Sequence, residues 1–69
     1  MSLRSYFEKR RGDQVHLCLA SVEIRGTVLH AGDDLVVVQT TPETAMVVPF
    51  NAVQFVRETA ESIQRDVAA

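Results

Sequence analysis

The chain has 69 residues, a net charge of −2, a 46% hydrophobic share and one cysteine, Cys18. Those figures describe one small domain without an internal disulfide, and no apolar run approaches the roughly 18 residues that a membrane span needs. A core this small supplies only about 3–5 kcal/mol of net stability, so self-association is the stabiliser to expect once a disulfide is excluded.

Charge is unevenly spread. Residues 1–12 hold Arg4, Lys9, Arg10 and Arg11 against Glu8, while the remainder sets Arg25, Arg57 and Arg65 against eight acids. A basic segment on an acidic body suits phosphate contact, because placing charge needs less geometric accuracy than reading a base edge. The sequence shows no signal-peptide pattern and its lone thiol fits a reducing compartment, so a cytoplasmic protein is the expectation.

Residues 2–11, SLRSYFEKRR, predict a short helix. Ser2 caps it, Leu3 and Phe7 share a face, and the cations fall in its last turn. Gly12 ends it. From Val15 the period changes to two. Val15, Leu17 and Leu19 alternate with His16, Cys18 and Ala20 in a first strand. Val22, Ile24 and Val28 alternate with Glu23, Arg25 and Thr27 in a second. Gly26 inside that second strand predicts a sharp bend or a close backbone approach. Ala31 to Asp34 reads as a turn whose Asp side chains can bond nearby backbone N–H groups.

Leu35 to Val38 is apolar on both faces and predicts a strand buried on both sides. A polar connection, Thr40 to Thr44, leads to a fourth strand at Ala45–Val48. Pro49, Phe50 and Asn51 then turn the chain into a fifth at Ala52–Val56. The predicted organisation is a mainly β domain over 1–56, with a helix at 2–11 and a strongly bent, five-stranded SH3-like barrel at 13–56. A tail over 57–69 carries a weak helical stripe, Val56, Ala60, Ile63 and Val67.

Enzyme chemistry finds no support: there is no nucleophile elbow and no glycine-rich phosphate loop. His16 and Cys18 share one strand face, but two ligands two residues apart do not make a metal site, and the pair reads as packing. No cofactor or metal is expected. Met46, Val47, Val48, Val53 and Phe55 make the fourth and fifth strands apolar on both faces. An exposed apolar edge invites pairing with another chain, so these residues are the expected subunit interface.

A short helix followed by five such strands resembles the Sm-like family of spliceosomal Sm, archaeal Sm-like and bacterial Hfq proteins. The first motif is matched by VHLCLASVEIRGTVLHAGDDLVVV, with Gly26 as its glycine and Asp33 or Asp34 as its aspartate. The second is matched by MVVPFNAVQFV, with Pro49, Val53 and Val56 at the family's spacing. LRSYFEKRRG is similar to the basic N-terminal helix of Hfq. The resemblance implies a homo-oligomeric ring of five to eight copies, hexamer or heptamer favoured, in which the fourth strand of one subunit pairs with the fifth of the next. It also implies binding of single-stranded RNA around a pore, as an RNA chaperone or riboregulator.

Several family positions differ. Val37 stands where the base-reading asparagine falls, Ser21 where a glycine is usual, and Pro49–Phe50 where Hfq has Lys–His. The usual uridine pocket is therefore not carried over. The remaining candidates are Arg4, Lys9, Arg10 and Arg11 for phosphates, and the loop residues His30, Asp33, Phe50 and Asn51, of which Phe50 offers a stacking face and Asn51 a hydrogen-bonding edge. The competing expectation is a homo-oligomeric small barrel that serves as a scaffold or protein-interaction module without nucleic acid.

Overall fold

Ser2 sits in extended conformation and its hydroxyl accepts the backbone N–H of Ser5, which opens a helix, α1, over Leu3–Glu8. The fold is that of a computed structural model, which describes residues 2–58. The helix is shorter than the 2–11 expected. Arg10 and Arg11 donate to Phe7 and Glu8 in tighter, three-residue turns, so Lys9, Arg10 and Arg11 lie past its last turn. Tertiary contacts win here over local propensity: Arg11 forms a bridge with Val28, and Arg10 folds back onto Tyr6. Gly12, at φ +86°, then takes the left-handed turn that other residues adopt at a cost.

Five antiparallel strands follow: β1 (Gln14–Cys18), β2 (Glu23–Ala31), β3 (Leu35–Thr41), β4 (Thr44–Pro49) and β5 (Phe55–Arg57). A 3-10 turn over Phe50–Ala52 separates β4 from β5, so β5 begins three residues later than the spacing predicts. Pro42 and Glu43 form the link between β3 and β4, both of which run further into the polar segment than expected. All five strands join one sheet in the order β4-β3-β2-β1-β5.

β2 joins the two halves of the sheet. Its first half, Glu23–Thr27, pairs with β1, and its second half, Thr27–Ala31, pairs with β3. The change of partner falls at Gly26 and Thr27. A Cβ on Gly26 would lie 2.6 Å from Val38 Cγ1, 2.9 Å from the carbonyl carbon of Gln39, and closer still to that carbonyl's oxygen. The mid-strand glycine is therefore required by the close approach of β3, one of the two reasons its position predicts.

Inward-facing residues of the strands meet Phe7 of α1 in one core. Phe7, Leu17, Val28, Val36, Val38 and Val48 are fully buried. Each contributes about 1.5–3 kcal/mol of burial. β3 alternates buried and half-buried residues rather than being buried on both sides, because its outer face is only partly covered. The result is a small, strongly bent, barrel-like sheet that does not close, since β4 and β5 are its two ends. Among the described residues no helix is long and apolar enough to cross a membrane. The stripe expected over 56–67 lies, from residue 59 onward, outside the described residues.

Candidate functional site

Two turns meet at one end of the sheet. The backbone N–H of Phe50, at the exit of β4, donates to the carbonyl of Asp34, in the β2–β3 turn, at 2.8 Å. This bond places Asp33, Phe50 and Asn51 side by side, with His30 on the adjoining end of β2. His30 and Asn51 are exposed, so both present their polar edges to solvent. Phe50 is half-buried and stacks on Phe7, with ring centroids 5.8 Å apart and planes 15° from parallel. Its ring thus plugs the end of the core. Asp33 accepts from Arg4 of α1 rather than from nearby backbone N–H groups, and Arg4 also reaches Glu8 at 3.2 Å. Those pairs are exposed and contribute little to stability.

The basic segment divides into two kinds of residue. Lys9 and Arg11 are exposed and make no ion pair among the described residues. Arg10 is different, with only 8% of its surface exposed. Its Nε lies 2.8 Å from Glu58 Oε1, it donates to the Tyr6 carbonyl at 2.9 Å, and its guanidinium sits 3.6 Å over the Tyr6 ring. Arg10 is thereby removed from the expected phosphate set: a buried, paired guanidinium holds α1 to the end of β5 instead.

The expected interface residues divide likewise. Val47 and Phe55 point outward on the two edge strands, 63% and 53% exposed. Met46 stands opposite Val38 on the core side of the sheet and is still 41% exposed, because nothing closes the sheet over it. Val48 is buried opposite Val36, and Val53 packs against the same core, so these two stabilise their own chain.

A second cluster lies on the outer face of β2-β1-β5. Register sets two cross-strand rows there, Glu23–Cys18–Phe55 and Arg25–His16–Arg57. Cys18 Sγ lies 3.5 Å from Glu23 Oε1, His16 Nε2 lies 2.9 Å from the same oxygen, and Arg57 Nε lies 3.3 Å from it. The His16 approach is short but poorly aligned, so it is a charge contact when the ring is protonated rather than a good hydrogen bond. The Cys18 thiol, donating to the carboxylate, and then the charges of His16 and Arg57 hold Glu23 below the usual carboxylate range, against desolvation. The guanidinium of Arg57 is held more firmly protonated by Cys18 first and Glu23 next. Cys18 is 3% exposed yet stands outside the apolar core, beneath these polar side chains. Sequence reasoning paired His16 with Cys18 and missed Glu23, which only the β1–β2 register supplies.

Comparison with protein-family models, curated proteins and solved structures finds no match.

Proposed function

We propose that the chain assembles through its two edge strands into a closed homo-oligomeric, Sm-like ring that binds single-stranded RNA. The observation that carries this reading is the open sheet. Its ends, β4 and β5, bear exposed Met46, Val47 and Phe55, and Met46 is exposed although it faces the core side. A β5 strand from a second copy laid along β4 would cover those apolar groups and satisfy the edge's free backbone groups at once. Repetition of that one contact around a rotation axis closes a ring and leaves no edge.

RNA binding rests on the residues that stay available. Lys9 and Arg11 grip phosphates, while His30 and Asn51 present polar edges from the two joined turns. Phe50 supports that loop by stacking on Phe7. Native mass spectrometry with and without short oligo-U and oligo-A tests assembly and binding together. The expected species is a ring that takes up one oligonucleotide. Lys9→Ala with Arg11→Ala should weaken binding and reduce the salt slope by about 0.7 for each phosphate that is no longer neutralised. A folded monomer would refute the ring, and unchanged affinity in the double variant would refute the basic grip.

The rival reading is a ring or small barrel that serves as a scaffold without nucleic acid. The neutralisation of Arg4 and Arg10 by acids of the same chain favours it. An intact ring that ignores both oligonucleotides would decide for it.

A further inference from the structure

We propose that His16, Cys18 and Glu23 form a binding site for one zinc-class divalent ion. The inference is independent of the ring and of RNA. It begins with the position of Cys18, a thiol that is buried outside the apolar core. A cysteine that only fills space belongs among aliphatic neighbours; this one has its sulfur against a carboxylate. Three donor types converge there, a thiol, an imidazole and a carboxylate, and their ligand atoms all lie within 4.8 Å of one another.

Two of the three ligand-atom separations stand within about half an ångström of those in a tetrahedral site, and the third, Cys18 Sγ to His16, lies within 4.8 Å and has to close by up to about 1.2 Å. With Zn–S near 2.3 Å, Zn–N near 2.0–2.1 Å and Zn–O near 2.0–2.2 Å, neighbouring ligand atoms lie about 3.4–3.6 Å apart. Cys18 Sγ and Glu23 Oε1 already stand at 3.5 Å. His16 Nε2 and Glu23 Oε1, at 2.9 Å, need to open by about half an ångström, which a half-exposed Glu side chain does by rotation. The supports are rigid: His16 and Cys18 are two apart on β1, hence on one face, and Glu23 is the register partner of Cys18 on β2. Solvent reaches the cluster on the Glu23 side, so a water completes the fourth position.

Charge also balances. The thiol gives up its proton to buffer as the Sγ–metal bond forms, and the imidazole offers Nε2 as a neutral lone pair. The thiolate and the carboxylate then bring two negative charges to a doubly positive ion. Mixed sulfur, nitrogen and oxygen donors select the borderline-soft ions, zinc foremost, over magnesium or calcium. Arg57 is the built-in competitor, because its guanidinium holds the Glu23 oxygen that the ion needs. Metal entry displaces that ion pair, and the Arg57 side chain is exposed enough to swing away.

The test titrates the reduced 69-residue chain with cobalt(II), followed by zinc competition. The expected result is one ion per chain, with the strong visible bands of tetrahedral cobalt and a near-ultraviolet thiolate-to-cobalt charge-transfer band that zinc abolishes. Cys18→Ser should remove the charge-transfer band. His16→Gln and Glu23→Gln should each weaken binding by at least about tenfold, since even outer-shell losses cost 10–100-fold. Arg57→Gln should tighten it. His16 and Glu23 are more exposed than Cys18, so those two variants keep the test decisive if Cys18→Ser fails to fold. No charge-transfer band in the native chain, or unweakened binding in folded His16→Gln and Glu23→Gln, would overturn the proposal.

Discussion

Replacing Gly26 by alanine isolates the contact that sets the bend of β2. The added methyl would overlap the Gln39 carbonyl and approach Val38 Cγ1 at 2.6 Å. Neither neighbour can give way cheaply. Gln39 is held in the ladder opposite Thr27, and Val38 is fully buried in the core. Relief requires β2 and β3 to part, so the cost belongs at or above the upper end of the 1–3 kcal/mol typical of overpacking, about 3 kcal/mol. Against a net stability of about 3–5 kcal/mol, that leaves the variant close to unfolded.

The other two glycines serve as controls with different physics. Gly12→Ala meets open space but keeps φ at +86°, so backbone strain alone should cost about 1–2 kcal/mol. Gly32→Ala meets Leu35 at 3.6 Å, an ordinary contact, and should change stability by about 0.5 kcal/mol or less. Urea unfolding followed by far-ultraviolet circular dichroism gives the order, at one fixed protomer concentration because association adds stability. With a urea slope near 1 kcal/mol/M, the Gly26 midpoint should fall by about 3 M. A Gly26→Ala variant no less stable than Gly12→Ala would refute the close-approach account of the bend.

Two further outcomes are expected. Arg10→Ala removes charge-assisted hydrogen bonds to the Glu58 carboxylate and the Tyr6 carbonyl and should cost about 1.5–3 kcal/mol in urea unfolding; Arg10→Lys should recover only part, since an ammonium cannot hold the Tyr6 carbonyl, the Tyr6 ring and Glu58 together. An Arg10→Ala midpoint equal to wild type would show that the guanidinium holds nothing. In the presence of a chelator, Glu23→Gln should destabilise the chain at pH 6 and cease to matter in acid. The folded carboxyl titrates below its ordinary value of 4.5, so its contribution is full above that pH and is lost as pH falls through the folded value. A gap between the two proteins that stays constant, or widens, towards acid would refute that sign.

The fold was largely legible because its determinants are local. The switch to period two at Val15 and the turn at Ala31–Asp34 each act within a few residues, and the glycine inside β2 marks its own position although the strand that requires it, β3, lies a dozen residues on. The misplaced boundaries share one cause, a long-range partner that sequence periodicity does not contain. The helix stops at Glu8 because Arg11 meets Val28 and Arg10 reaches Tyr6 and Glu58. The fifth strand starts late because Phe50, stacked on Phe7, heads a 3-10 turn.

The metal-ligand cluster failed to emerge from the sequence for a narrower reason. Reading the first strand through Ala20 and starting the second at Val22 leaves Ser21 alone between them, which fixes no register. In the folded chain Leu19 donates to the Val22 carbonyl at 2.9 Å, so Ala20 and Ser21 form the tip of the turn. From that single bond the pairing is forced: Cys18 falls opposite Glu23, His16 opposite Arg25, and Val15 opposite Gly26. The same register thus sets Gly26 within the bend and delivers a carboxylate to Cys18. Fold and chemistry are tied at this hairpin, so a change that shifts the turn by one residue should remove both the cobalt spectrum and the tolerance of β2 for its neighbours. By contrast, substitutions at Glu23 or His16 should remove the spectrum and leave the chain folded, Glu23→Gln with the loss of stability expected above at pH 6.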